Sequence, residues 1–237
     1  MLNFLSWNVN GLKNKIHDVK EELRHLDPDV VFLQETRISE SNSKMLNDST
    51  YQCFLAPYSS RCRGVAVLVK RAKIHKDSEP KVDSDDNRCY ILVNINICGE
   101  KYNLVSVYNA KGDTRLLSNL SGILKNRNDG VLVIGGDFNT ALNPEIDCNN
   151  FQRKDKKSNE NLQKFIKILK LKDTWRVKNP TEKKYTYVVQ SRIDYLFVPE
   201  TDAVSINECE IKNSRISNHN PVSLTLSLNF FFFGVNV

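Results

Sequence analysis

No stretch of this chain approaches the roughly 18 consecutive apolar residues of a membrane span. The N-terminus carries neither a basic lead nor the long apolar core of a secretory signal. A membrane-spanning or exported protein is therefore not expected. The six cysteines (Cys53, Cys62, Cys89, Cys98, Cys148 and Cys209) are scattered, with no Cys-x-x-Cys pair and no zinc-ligand spacing to any of the four histidines. That argues against a disulfide framework and for reduced thiols in a nuclear or cytoplasmic setting. No internal repeat and no domain-splitting linker breaks the 237 residues. The length suits one large domain with its own core, read as residues 1–228, with 229–237 as a tail outside it.

What is present has the balance of a globular protein: 40% hydrophobic and 26% charged residues. The formal charge of +6 points to an anionic partner such as nucleic acid. Apolar runs predict strands over 3–7, 29–34, 64–69, 90–97, 102–108, 131–134, 193–198 and 222–228. The last alternates Val222, Leu224, Leu226 and Leu228 with Ser223, Thr225 and Ser227, a half-buried pattern. Cys98-Gly99-Glu100 reads as a hairpin turn between two of the strands. Apolar stripes predict helices over 15–26, 114–125 and 159–170, the last with Ser158 as N-cap. Residues 77–88 and 149–160 read as polar loops, the second carrying the basic run Arg153-Lys154-Asp155-Lys156-Lys157. Beyond the last strand, Phe230 to Phe233 stand in a row without periodicity, an association hazard if exposed.

The chemistry-bearing residues gather at strand ends. Gly135-Gly136-Asp137-Phe138-Asn139 follows the apolar run Val131 to Ile134. If the extended geometry persists, Asp137 and Asn139 share one face and Phe138 points into packing. A carboxylate beside a carboxamide suits a metal-bound water and a phosphate oxygen, although Asp/Asn turns also close strands routinely. Five further motifs have the same character. Ser6-Trp7-Asn8-Val9-Asn10-Gly11 meets a turn, and Val30 to Thr36 places Glu35 directly after an apolar run. Ser106-Val107-Tyr108 ends a strand, as tyrosines at core edges often do. Ser191-Arg192-Ile193-Asp194-Tyr195 opens an apolar run with an acid that is costly in a sheet unless paired. Ser217-Asn218-His219-Asn220-Pro221 precedes the last strand and offers a histidine to a phosphate.

Singly each motif has a bland explanation. In this order the set resembles the endonuclease/exonuclease/phosphatase superfamily, over Phe4 to Leu228. The stretch Asp173-Thr174-Trp175-Arg176, Asn179-Pro180, Tyr185-Thr186-Tyr187 and Ser191 to Tyr195 looks most like the endonuclease domain of LINE-type retrotransposons. The resemblance implies a DNase I-like, four-layer α/β sandwich, with two mixed β-sheets face to face and helices outside. It implies magnesium-dependent nicking of double-stranded DNA to leave a 3′-hydroxyl, with manganese as a substitute ion and the chain acting as a monomer. By motif, Glu35 is the metal ligand with Asn8 beside it. Asp137 positions or deprotonates water, and Asn139 and His219 hold the scissile phosphate. Tyr108 lies near the leaving oxygen, and Asp194 orients the metal or water network. Thr186, Asn10, Arg192 and Ser217 fall to substrate binding.

Two positions depart from the pattern. The superfamily expects Asp where this chain has Asn218, as the acceptor that keeps the neighbouring His charged. A carboxamide cannot supply that charge, so nicking is expected to be weak and restored by Asn218→Asp. After Tyr108, the usual Pro-Asn pair is replaced by Asn109-Ala110-Lys111-Gly112-Asp113. No Tyr-x-Asp-Asp reverse-transcriptase motif is present, so an isolated endonuclease domain or a truncated element copy is expected. The competing readings are an abasic-site endonuclease resembling exonuclease III, a phosphatase of small phosphoesters, and a catalytically impaired DNA-binding remnant.

Overall fold

A computed structural model describes residues 1–127, 129–149 and 156–227. Among these, twelve strands, numbered in chain order, build two six-stranded sheets. The first holds β1 (Leu2–Asn8), β2 (Val30–Gln34), β3 (Tyr51–Ala56), β4 (Val65–Lys70), β11 (Ile206–Ile211) and β12 (Val222–Leu226), in the order β11-β12-β1-β2-β4-β3. The second holds β5 (Lys81–Ser84), β6 (Tyr90–Ile97), β7 (Glu100–Tyr108), β8 (Val131–Asp137), β9 (Leu171–Asp173) and β10 (Asp194–Pro199), in the order β5-β6-β7-β8-β10-β9. Each sheet has one parallel pair at its centre, β1 with β2 and β7 with β8, and antiparallel partners outward. Both sheets are mixed.

Two buried faces per sheet explain the layers. Leu2 and Phe4 of β1, Val30 and Phe32 of β2, Leu104 of β7, Val133 of β8 and Leu196 of β10 meet in the core between the sheets. The alternate residues Leu5, Trp7, Val31 and Leu33 face outward, under helix α1 (Ile16–Leu26), which buries Val19 and Leu23 on them. Val105, Ile134 and Phe197 likewise face α2 (Leu116–Leu124) and α4 (Lys156–Leu169) through Leu117, Leu120, Leu162 and Phe165. Short helices α3 (Pro144–Asp147) and α5 (Thr174–Lys178) complete the α-helices among the described residues, beside 3-10 turns at Glu40–Leu46, Arg71–Lys73 and Glu200–Ser205. The result is the four-layer sandwich expected.

Helix α1 ends where its sequence says it must. Asp27 takes a left-handed conformation (φ 47°), and Pro28 follows it. The Cys98-Gly99 turn has both residues at positive φ (53° and 89°), the twist that suits a two-residue hairpin between β6 and β7.

Two local expectations are corrected. Residues 77–88 are not wholly loop, because Lys81–Ser84 pairs along β6 as an exposed edge strand. Helix α4 starts at Lys156, before the expected loop ends, so Ser158 lies inside it and is no N-cap. Within the expected basic run, Arg153 to Asp155 lie outside the described residues, as do Leu228 and the tail 229–237. β3, β9 and β11 also form where no strand was expected.

Gly135 sits on β8 where the sheets approach each other, and a Cβ built there would lie 2.5 Å from the Phe32 ring. Such overpacking costs about 1–3 kcal/mol. Gly135→Ala is therefore expected to lower the free energy of unfolding by about that amount, read as a shift of the urea midpoint. An unchanged midpoint would show that the sheets are not tightly apposed there.

Candidate active site

Period-two geometry delivers five polar residues to one place. On the inter-sheet face, β1 reads Leu2, Phe4, Ser6, Asn8; β2 reads Val30, Phe32, Gln34; β7 reads Leu104, Ser106, Tyr108. On the same face β8 reads Val133, Gly135, Asp137, and β10, running the other way, reads Val198, Leu196, Asp194. Each strand turns from apolar to polar toward the same end of the sandwich. The inner tier is closed by Gln34 Nε2, which donates to Ser106 Oγ (3.2 Å) and the Phe32 carbonyl (3.1 Å). Above it lie Asn8, Tyr108, Asp137 and Asp194.

Glu35 would face outward if β2 continued. Its positive φ (47°) turns the chain, and its carboxylate joins the pocket instead. Asn8 Nδ2 then donates to Glu35 Oε1 (3.2 Å) and to Asp137 Oδ2 (2.8 Å), linking the two sheets through one amide. Asn8 Oδ1 accepts from Asn10 N (2.9 Å). Asn8 thus serves as hydrogen-bond partner to the carboxylates, with its oxygen turned away to Asn10. Arg37 Nε donates to Glu35 Oε2 (3.1 Å), and the Tyr108 hydroxyl faces the same carboxylate. Burial works to raise the Glu35 pKa, but the hydrogen bonds from Arg37 and Asn8 outweigh it and hold it below the usual value.

Asn139 departs from the expected extended geometry. With φ of 51° it is left-handed, and it folds back so that its N–H donates to Asp137 Oδ1 (2.8 Å) and its Nδ2 to Asp137 Oδ2 (3.3 Å). Phe138 does point into packing, fully buried beside Phe165 and Phe197. Burial, and then the charge of Asp194, push the Asp137 carboxyl well above the ordinary carboxylate range.

His219 is buried, and its Nδ1 lies 2.9 and 3.1 Å from the two carboxylate oxygens of Asp194. This corrects the reading of position 218. The charge that holds the imidazole comes from Asp194, on the facing sheet, and among the described residues the Asn218 side chain meets Ser217 Oγ alone, at 3.5 Å. Burial disfavours the imidazolium, yet the Asp194 carboxylate prevails and raises the pKa to about 9. Tyr187 packs its ring on His219 at 4.6 Å between centroids.

Other expected contacts resolve into support. The Thr186 hydroxyl is fully buried and accepts from the Ile193 and Asp194 N–H groups (3.1 Å each). The Ser217 hydroxyl donates to the Asn8 carbonyl (2.7 Å) and accepts from His219 N (3.2 Å). Arg192 cannot reach a substrate. It is 1% exposed and paired with Asp147 and Asp173, because the strand start turns it into the protein. Arg37 and Tyr187 were not singled out as site residues, although Arg37 directly follows the Val30 to Thr36 motif and Tyr187 closes Tyr185-Thr186-Tyr187.

Ligand atoms of Asp137, Asp194 and His219 all lie within 4.8 Å of one another. His219 Nδ1 is engaged with Asp194, so carboxylate oxygens are the main donors this pocket has to offer. Glu35 and Asp137 share the single amide donor of Asn8 between two acidic groups, a hard-oxygen set that fits a divalent cation of the magnesium kind.

An α/β sandwich of two sheets with an acidic, histidine-bearing pocket at one end suits the binding of a phosphate ester. The chain belongs to the Endonuclease/Exonuclease/phosphatase family, whose sequence model matches residues 5–219. It is 28% identical over 245 residues to the Transposon TX1 uncharacterized 149 kDa protein of Xenopus laevis, covering 96% of this chain but 18% of that protein. The chain thus spans less than a fifth of that relative. Among solved structures, the 3′ phosphatase NExo from Neisseria, bound to a product DNA hairpin, superposes with a TM-score of 0.80 at 20% identity, over 96% of this chain and all of that one. An AP endonuclease from Archaeoglobus fulgidus gives the same figures. The Xenopus laevis APE2 catalytic domain gives 0.78 at 21%, over 95% of this chain and 91% of that one. At these identities the structural likeness establishes the fold.

The ionisation pattern predicts a pH response for the metal-free protein. The imidazolium–carboxylate pair contributes fully below the unfolded-state pKa of about 6.5. It is lost as pH rises through about 9. Forced ionisation of buried Asp137 acts in the same direction. Stability in EDTA should therefore fall across this window, with a shallower slope in Asp194→Asn. Denaturant midpoints measured from pH 6 to pH 10 test this, and a flat profile would refute the pairing.

Proposed function

We propose that this chain is a magnesium-dependent DNA endonuclease of the retroelement type, nicking one strand of duplex DNA to leave a 3′-hydroxyl. The observation that carries the reading is the pocket in which carboxylates of both sheets flank a buried, carboxylate-held imidazole. The transposon relative, aligned over nearly the whole chain, and the basic net charge favour DNA within the family.

Glu35 and Asp137 would hold the cation, which supplies charge for the scissile phosphate and a more acidic bound water. Asp137, held by Asn8 and Asn139 at the end of β8, would also position the attacking water and accept its proton. His219 has Nδ1 committed to Asp194, so Nε2 is the nitrogen left to donate to a phosphoryl oxygen. Tyr108 and Arg37 anchor Glu35, and Asn139 braces Asp137 beside the phosphate position. The chain would act as a monomer on nuclear or cytoplasmic DNA, with manganese able to replace magnesium.

A second reading is an abasic-site endonuclease, favoured by the AP endonuclease among the structural neighbours. A labelled duplex, intact or carrying one abasic site, separates them. Cleavage of the intact duplex in magnesium, with product ends that a DNA ligase reseals directly, supports the endonuclease. Cleavage confined to the abasic duplex supports the repair reading. Glu35→Ala should slow cleavage by about 10²-fold or more. Asn218→Asp should change the rate by less than about fivefold, because a partly exposed charge contributes at most about 1 kcal/mol. Rescue of an inactive parent by Asn218→Asp would restore position 218 as the source of the His219 charge.

A further inference from the structure

Arg192 is among the largest fully buried side chains of the molecule, although it carries a permanent charge. Its guanidinium grips Asp147 with both arms, Nε to Oδ1 and Nη2 to Oδ2, each at 2.9 Å, and Nη2 also reaches Asp173 Oδ2 at 2.6 Å. Arg176 Nη2 meets the same Asp147 at 2.5 Å. Two arginines thus face two aspartates. The Arg192 guanidinium lies over the Trp175 ring (5.1 Å) and the Tyr195 ring (4.6 Å), which accounts for the burial of Nη1 without a hydrogen-bond partner.

The cluster is wired to the pocket through the backbone. Arg192 N donates to the Asp147 carbonyl, and the Arg192 carbonyl accepts from the Tyr195 hydroxyl, both at 2.7 Å. That hydroxyl also receives the N–H of Leu142 (2.7 Å), just beyond Asn139. One residue on, the Ile193 carbonyl takes the N–H of Phe138 (2.8 Å), between Asp137 and Asn139. The segment that delivers Asp194 and the loop that follows Asp137 therefore hang from one buried fork. Replacing such pairs with apolar residues is often neutral for stability, so what the fork supplies is geometry.

We propose that Arg192 is a positioning residue for the hydrolytic reaction, setting through its two-armed grip on Asp147 where the Asp194 carboxylate meets His219. The inference rests on the hydrolase reading of the pocket. Arg192→Lys keeps the charge and loses the fork. Its cleavage kcat should fall about 30-fold or more while KM for DNA stays within about threefold. The ring ¹⁵N shifts of His219, assigned with His219→Gln, should move away from those of the parent. As a control, Asp29→Asn disrupts the partly buried Asp29–Lys70 and Asp29–Lys73 pairs at the opposite end of β1 and β2 and should leave both readouts unchanged. If Arg192→Lys fails to give a cooperative melt, Asp173→Asn, which trims one arm's second contact, is read in the same way. A folded variant with parental kcat and parental His219 shifts would overturn the proposal. If the parent itself does not cleave DNA, the shifts alone decide it, and the failure belongs to the hydrolase reading.

Discussion

One carboxamide holds the two halves of this protein's chemistry together. Asn8 Nδ2 donates to a carboxylate at the end of its own sheet and to another at the end of the facing sheet. Without that shared donor, Glu35 and Asp137 would be two acids on separate layers, repelling each other in a poorly hydrated gap. With it they form one pocket that draws in a cation. Asn10 fixes the orientation of the amide by donating its N–H to the carboxamide oxygen. Ser217 grips the Asn8 carbonyl from the loop that carries His219. The site depends on how the sheets stack, so its geometry is as rigid as the core beneath it.

Backbone conformation is spent at the same end. Asn10, Glu35, Arg37 and Asn139 all hold positive φ, between 47° and 51°. Such conformations disfavour residues with a Cβ by about 1–2 kcal/mol each and collect where a side chain must be re-aimed. Here the purpose is visible in two cases. Glu35 would lie under α1 had β2 run on, and Asn139 would not fold back on Asp137. The inner tier of Ser6, Gln34, Ser106 and Gly135 grades the apolar core into this polar end, and Gln34 is fully buried to serve it.

The sequence patterns disclosed the interior of both sheets well. β1, β2, β4, β6, β7, β8 and β10 all appear as apolar runs, because strands buried on both faces are rich in apolar residues along their length, and β12 appears through its clean alternation. The unforeseen strands β3, β11, β5 and β9 are the four edges of the two sheets. β5 is exposed, β9 has three residues, and a register shift between Ile206 and Glu208 breaks the alternation of β11. Site residues were legible as motifs at strand ends, but not their pairings. Nothing local to Ser217-Asn218-His219 says that its carboxylate partner stands 25 residues earlier, on the other sheet. Arg192 misled for a related reason. A charged residue beside a catalytic motif reads as substrate-binding until the fold shows two aspartates waiting in the interior.

The account's central claim is that Glu35 and Asp137, one from each sheet, act as a single hydrolytic unit. The most direct measurement is a double-variant cycle on magnesium-dependent nicking of supercoiled plasmid, comparing the parent, Glu35→Ala, Asp137→Asn and the two combined. If the residues act as a unit, the double variant is about as impaired as the worse single one. Costs that multiply, or nicking that persists in EDTA, would contradict the account.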